Sequence, residues 1–369
     1  MIDVVTARSD VLDFRARDVD LPDAPGPWRP VWSTRLDVSP GLSRLHAFGA
    51  GLALVDAPSG IVALGSEPPG AERVLAGERL YARPAVDGVP VLVDSRGVVH
   101  RWGACGAPER VWASNLPGTE VDAIGLAGGQ LLLQHPHRGL LRSVFGAFGA
   151  SGVTELVDPA GASVVWRRSG DRWGALPSED GVFAILNKGR SVARLRVRDG
   201  GEAWRHSVGE PGIRELVALV AGRLWLSTYG GEILAVEAGT GAPAARLRLP
   251  RHAVPTGVVD ERGYFHLCHG TRYTVLDLTA GGTQLATAEL PAGPGQAVAS
   301  FAMPTGDGRL VFFDVKGGVF AARAGSRDVA LLRQPTSPLL SCRVAHGLLY
   351  VLTREGELSA LSPSGSLEG

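Results

Sequence analysis

Lysine is almost missing from this chain: all but two of its 37 basic residues are arginine, the exceptions being Lys188 and Lys316. Thirty-seven acidic residues balance them, giving zero net charge. A balanced chain has no general grip on polyanions, which argues against nucleic acid as a partner and against a polybasic membrane surface. Cysteine is scarce too. Cys105, Cys268 and Cys342 are odd in number and far apart, with no CxxC among them, so no disulfide framework is expected. No run of about 18 apolar residues occurs, so no membrane-spanning helix is expected. The opening MIDVVTARSDVLDFRARDVDLPDAPGPW lacks an apolar stretch between basic and small residues; no secretory leader is expected, and a cytoplasmic location is. Nucleophile and phosphate-loop motifs are absent as well: there is no GxSxG and no GxxxxGK[ST]. Gly200-Gly201 and Gly281-Gly282 read as turn glycines.

What the chain does have is punctuation. Fifty glycines and 25 prolines are spread through a sequence that is 45% hydrophobic. They separate short apolar runs, and no long amphipathic helix interrupts the pattern. The stretch from Gly222 to Leu249 shows the unit most clearly. Arg223–Thr228, Glu232–Glu237 and Ala244–Leu249 are of strand length, and the turns Tyr229-Gly230-Gly231 and Gly239-Thr240-Gly241 supply the reversals. The same strand–Gly–strand motif starts at Gly60, Gly97, Gly231, Gly318 and Gly356. The first two copies are 37 residues apart and the last two 38. That spacing, with four strands to a unit, predicts a β-propeller. Eight units begin near Leu45, Tyr81, Asp122, Trp173, Leu216, Pro255, Val298 and Leu339. The expected fold is all-β, a single closed propeller of four-stranded blades over 31–366, eight blades in preference to seven.

Individual repeats resemble the pyrroloquinoline-quinone-like repeat, the family of quinoprotein dehydrogenases and of outer-membrane assembly propellers. In that family a strand ends in Ala-Leu-Asp, a Thr-Gly turn follows, and a Trp stands eight residues after the Asp. Leu234-Ala235-Val236-Glu237 with Thr240-Gly241 is similar, with Ala245 in place of the Trp. Leu156-Val157-Asp158 has Trp166 at the family's distance. Asp199 and Gly201 precede Trp204 by a shorter interval, and Trp112 stands on the last strand of the second unit. The quinone-binding members imply a leader, adjacent cysteines and a carboxylate base with calcium. None of these is matched here, so no catalytic residue is carried over, and neither a cofactor nor a bound metal is expected. Trp102, Trp166, Trp173 and Trp225 are read as packing between blades.

The last repeat stops before a fourth strand could form. Val31-Trp32-Ser33-Thr34-Arg35-Leu36 has the look of that strand and is expected to pair with residues 357–361, removing a bare sheet edge. Residues 1–30 form an N-terminal extension, with Val4, Val5, Val11, Leu12 and Phe14 among charges.

Three places invite a functional reading. His266 and Cys268 share a strand face, with His269 beside them, and His135 and His137 flank Pro136; neither set completes a metal site. The third is the excursion 136–151 in the third unit, PHRGLLRSVFGAFGAS. Its Leu140, Leu141, Val144, Phe145 and Phe148, flanked by Arg138 and Arg142, either cap the ring or meet a partner. The function expected from the sequence is a non-catalytic cytoplasmic interaction module that binds another protein and is monomeric by itself. A lyase- or hydrolase-type enzyme using the central funnel, and an exported envelope-assembly propeller, are the alternatives.

Overall fold

A computed structural model describes residues 4–6, 28–39, 43, 45–48, 52–66, 71–76, 81–83, 91–93, 97–103, 107–113, 122–135, 153–169, 172–178, 181–249, 256–259, 262–269, 272–289, 298–304, 309–314, 317–323, 329–333 and 337–362. Two N-terminal strands come first, β1 (Val4–Thr6) and β2 (Arg29–Arg35). Sheet 1 then runs β3 (Leu45–Phe48), β4 (Leu52–Ala57), β5 (Gly60–Leu64) and β6 (Ala71–Ala76). Sheet 2 is β7 (Tyr81–Arg83), β8 (Val91–Val93), β9 (Val98–Trp102) and β10 (Pro108–Ala113). Sheet 3 is β11 (Asp122–Gly125), β12 (Leu131–His135), β13 (Val153–Asp158) and β14 (Ser163–Ser169). Sheet 4 is β15 (Arg172–Ser178), β16 (Gly181–Leu186), β17 (Ser191–Arg196) and β18 (Glu202–Ser207). Sheet 5 is β19 (Ile213–Val220), β20 (Arg223–Thr228), β21 (Glu232–Glu237) and β22 (Pro243–Arg248). Sheet 6 is β23 (Thr256–Val259), β24 (Tyr264–His269), β25 (Arg272–Asp277) and β26 (Thr283–Glu289). Sheet 7 is β27 (Val298–Pro304), β28 (Arg309–Asp314), β29 (Val319–Arg323) and β30 (Val329–Arg333). Sheet 8 is β31 (Leu339–Ala345), β32 (Leu348–Thr353) and β33 (Glu357–Ser362), with β2 as its fourth strand. Neighbours pair antiparallel, and β1 adds to the β19 edge of sheet 5.

The chain divides into two compact units. Sheets 1, 6, 7 and 8 belong to one, sheets 2 to 5 to the other. The second strands β12, β16 and β32 are buried along their whole length; β16 reads as an unbroken apolar run, while β12 ends in buried Gln134 and His135 and β32 in buried Thr353. Outer strands such as β18 alternate exposed and half-buried positions. Within the second unit, Phe183, Ile185, Ile213, Leu216, Leu224 and Leu226 form one core between sheets 4 and 5. Each such side chain, fully buried, contributes roughly 1.5–3 kcal/mol.

A tryptophan rung recurs on this frame. Trp166 on β14 donates its indole N–H to the Val197 carbonyl of sheet 4, and Trp204 on β18 donates to the Ala238 carbonyl of sheet 5 at 2.9 Å. In both cases the ring lies on a glycine of the receiving turn, Gly200 or Gly241. A Cβ there would come within 2.7 or 2.6 Å of the ring, and both glycines have positive φ. The rung corrects one sequence reading. Trp204 stands eight residues after Arg196, the last residue of β17, as Trp166 stands eight after Asp158, the last of β13. Asp199 lies instead in the turn, where its carboxylate accepts from the Gly201 N–H at 2.8 Å and from Arg196. It imitates the consensus acid without holding its place.

In the first unit, β2 pairs with β33, Trp32 opposite Ala360 and Arg35 opposite Glu357. Trp32 is buried with Leu45, Tyr350 and Leu352, and its N–H reaches the Gly65 carbonyl at 3.2 Å, an acceptor shared with the Tyr350 hydroxyl. The Trp28 amide donates to the Leu332 carbonyl at 2.7 Å, tying the same segment to sheet 7.

Candidate functional site

One end of sheets 3, 4 and 5 gathers the features that can do chemistry or binding. The registers define that end. The third sheet reaches it at His135, Val153 and Ser169, since His135 opposes Val153 and Val153 opposes Ser169. The chain re-enters at Arg172, opposite Leu186, so the turn 187–190 lies there too. Backbone hydrogen bonds then join successive turns. The amides of Val208 and Gly209 donate to the Arg190 carbonyl at 2.8 and 3.2 Å, and the Tyr229 amide donates to the Gly212 carbonyl at 3.1 Å.

On this hydrogen-bonded platform stand four exposed side chains. Tyr229 is 61% exposed, the most open large apolar side chain among the described residues. Arg190 and Glu210 form an ion pair in which both side chains are largely open to solvent. Pro211 is exposed and covers Gly230, where a Cβ would meet the proline ring at 2.7 Å. An exposed pair such as Arg190–Glu210 adds little to stability. Tyrosine and arginine on a rigid base are, however, the residue types that anchor protein interfaces.

A buried polar row lies beneath the same end of sheet 3. His135 Nε2 is 3.2 Å from Glu155 Oε2, and Arg167 donates to the other carboxylate oxygen. His135 and Glu155 are almost fully buried, while Arg167 is half exposed. Burial lowers the His135 pKa below its ordinary 6.5, outweighing the attraction of Glu155, so the neutral imidazole donates Nε2–H to a carboxylate neutralised by Arg167. His135 Nδ1 and Gln134 Nε2 have no hydrogen-bond partner among the described residues. In sheet 1, His46 Nε2 similarly meets Asp56 Oδ2 at 2.8 Å, both buried. These imidazole–carboxylate pairs resemble parts of a general-base dyad, but they are sealed from solvent, and a sealed base cannot reach a substrate.

The other sites expected from the sequence distribute as follows. His266 is buried on β24, opposite Val258 and Val275; the side chains of Cys268 and His269 lie outside the described residues. Among the described residues, no group of three or more His, Cys, Asp or Glu is placed to hold a metal. His137 and the whole excursion 136–151, with Arg138, Leu140, Leu141, Arg142, Val144, Phe145 and Phe148, lie outside the described residues; His135 and Val153 flank it at the end just defined. Trp166 packs between sheets, Trp225 is fully buried, Trp102 is half-buried, and the Trp173 side chain lies outside the described residues. Tyr229, Arg190 and Glu210 were not singled out from the sequence. An aromatic residue at a turn between two glycine-marked strands was the available signal.

Comparison with known proteins fits this architecture. A family model described as "Outer membrane protein assembly factor BamB" matches residues 109–367. No curated protein matches the chain in sequence. Among solved structures, the C-terminal WD40 domain of Sif2 is similar at 12% identity, covering 92% of this chain and 99% of that one with a TM-score of 0.65. Sqt1 of Saccharomyces cerevisiae is similar at 10% identity, covering 92% and 99%, TM-score 0.62. The computationally designed protein Ika8 is similar at 12% identity, covering 90% and 100%, TM-score 0.63. At such identities the likeness establishes the fold alone, a β-propeller of four-stranded blades.

Proposed function

We propose a protein-binding role for this chain, which belongs to the family described as outer membrane protein assembly factor BamB, a family of propellers with pyrroloquinoline-quinone-like repeats. The chain acts as a rigid, non-catalytic scaffold, and a partner protein docks on the turn end of sheets 3 to 5. The observation that carries this reading is the exposed set Arg190, Glu210, Pro211 and Tyr229 on turns tied together by backbone hydrogen bonds. A preordered surface loses little conformational entropy on binding. His135 and Val153, which flank the excursion 136–151, stand at the same end, and its Arg138, Leu140, Leu141, Arg142, Val144, Phe145 and Phe148 belong to the same proposal as partner-binding residues.

Cytoplasmic residence belongs to the same proposal. It is supported by the sparse cysteines and by Cys342, a free thiol whose burial pushes its pKa up to about 12 and leaves it inert. The family's description favours the envelope instead, and cell fractionation decides between them. The binding role is tested by comparing capture by wild type with capture by Tyr229→Asp, Arg190→Glu. The double variant melts like wild type and loses the partner; unchanged capture refutes the surface.

A further inference from the structure

The outer strand of sheet 3 differs from those of sheets 1, 2, 4 and 5. Every residue of β14 except Trp166 is exposed, whereas β6, β10, β18 and β22 each carry three or more half-buried residues. Two of the four exposed large apolar side chains among the described residues are its neighbours Val164 (40%) and Val165 (42%). Proteins usually blunt an open sheet edge with proline or charge. Five of the seven other outer strands follow that rule: β10 and β22 begin with Pro108 and Pro243, β2 carries Pro30, β6 has Glu72-Arg73, and β18 carries its own Glu202–Arg205 pair, while β26 and β30 carry a charge only at their last residue, Glu289 or Arg333. The first half of β14, Ser163-Val164-Val165-Trp166, has neither device.

Its second half is basic. Arg167 is committed to Glu155. Arg168 is not committed to any acid among the described residues: its Nε and Nη2 donate to the neutral Asp199 carbonyl at 3.2 and 2.9 Å. The guanidinium is thereby aimed and keeps its charge. An apolar edge without proline or charge, interrupted only by the bulge at Val165 and followed by an oriented positive charge, fits one kind of ligand. Main-chain groups of an added strand pair with the edge, apolar side chains cover the valines, and a carboxylate meets Arg168.

We propose that β14 is a strand-addition site for an extended apolar segment of a partner protein that carries acidic residues at the Arg168 end. The inference rests on the binding role above and names the chemistry of the partner.

The test uses the full chain and a labelled peptide of alternating valine and threonine ending in two glutamates. Two companion peptides carry two lysines in place of the glutamates, or a central proline. Fluorescence anisotropy is expected to give saturable binding of the glutamate peptide only, with new amide protection along β14 in hydrogen exchange. Val164→Lys, Val165→Lys weakens binding by about tenfold or more, the scale of one central interface contact. Both sites are exposed, so that variant melts like wild type. Arg168→Glu transfers preference to the lysine peptide. No saturable binding, equal binding of all three peptides, or binding indifferent to both variants overturns the proposal. The two readings fail separately. If no peptide binds while Tyr229→Asp, Arg190→Glu still loses the partner, only strand addition is wrong. If the peptide binds as described while that variant keeps the partner, only the turn surface is wrong.

Discussion

The indole N–H of Trp204 donates to the carbonyl of Ala238, which stands one sheet further along the chain. The ring rests on Gly241, whose φ of +74° no side chain adopts cheaply. One residue thus supplies a hydrogen bond, a large apolar contact and a steric demand on its neighbour. Gly241→Ala is expected to lose about 1–3 kcal/mol, from left-handed strain and displacement of the ring. Trp204→Phe keeps most of the apolar contact and is expected to lose about 1 kcal/mol for the hydrogen bond. Chemical denaturation of both variants checks the order; a more damaging Trp204→Phe would contradict it.

Sheet 3 carries the exception to this arrangement. Three residues after Asp158-Pro159, where its neighbours place Gly200 and Gly241, the chain has Ala162 at φ +48°. Correspondingly, the Trp112 N–H of sheet 2 is buried with no hydrogen-bond partner among the described residues. Ala162→Gly relieves the left-handed strain at the cost of a more flexible unfolded chain. The expected net gain is up to about 1 kcal/mol, read as a higher melting temperature. A loss of stability would show that the alanine methyl is itself a packing element.

The polar row predicts a pH effect with a definite sign. Folding lowers the His135 pKa, so protonation favours the unfolded chain. The stability held by neutral His135 is present above about pH 6.5, the unfolded imidazole's value. It is lost as pH falls from there through the lower folded-state value. Melting curves of wild type and His135→Gln at falling pH isolate the contribution, since other histidines are common to both. Wild type should fall more steeply with acid than the variant. Parallel curves would mean that His135 does not titrate with unfolding.

Strand β2 is predicted to be indispensable. Removing residues 1–38 strips the outer strand from β33 and takes Trp28 and Trp32 out of their cores. Either tryptophan alone, cut to alanine, is expected to cost about 3–5 kcal/mol. The truncated chain should aggregate or unfold; a truncated chain with the full-length melting temperature would contradict this.

Much of the fold is legible in the sequence. Val31–Leu36 announced itself as a strand because the last repeat lacked one, and glycines such as Gly60 and Gly356 marked the reversals. The fourth repeat was harder, because Asp199 serves its own turn and so mimics the family acid. The buried row escaped notice for a different reason. His135 and Glu155 are 20 residues apart with the excursion between them, and only the strand register sets them on one face. Tyr229 could not be judged from its neighbours in sequence. The turn that presents it is packed by Pro211, from the preceding connection.

The central claim is that a partner protein meets the turn end of sheets 3 to 5. Photo-crosslinking from position 229 in the native host tests it most directly, with position 221 as the control. Ala221 is exposed at the opposite end of β20. One partner protein should be joined through 229 and none through 221, with the adduct lost when Arg190→Glu is added. Adducts that form through 221 alone, or equally through both positions, would contradict it.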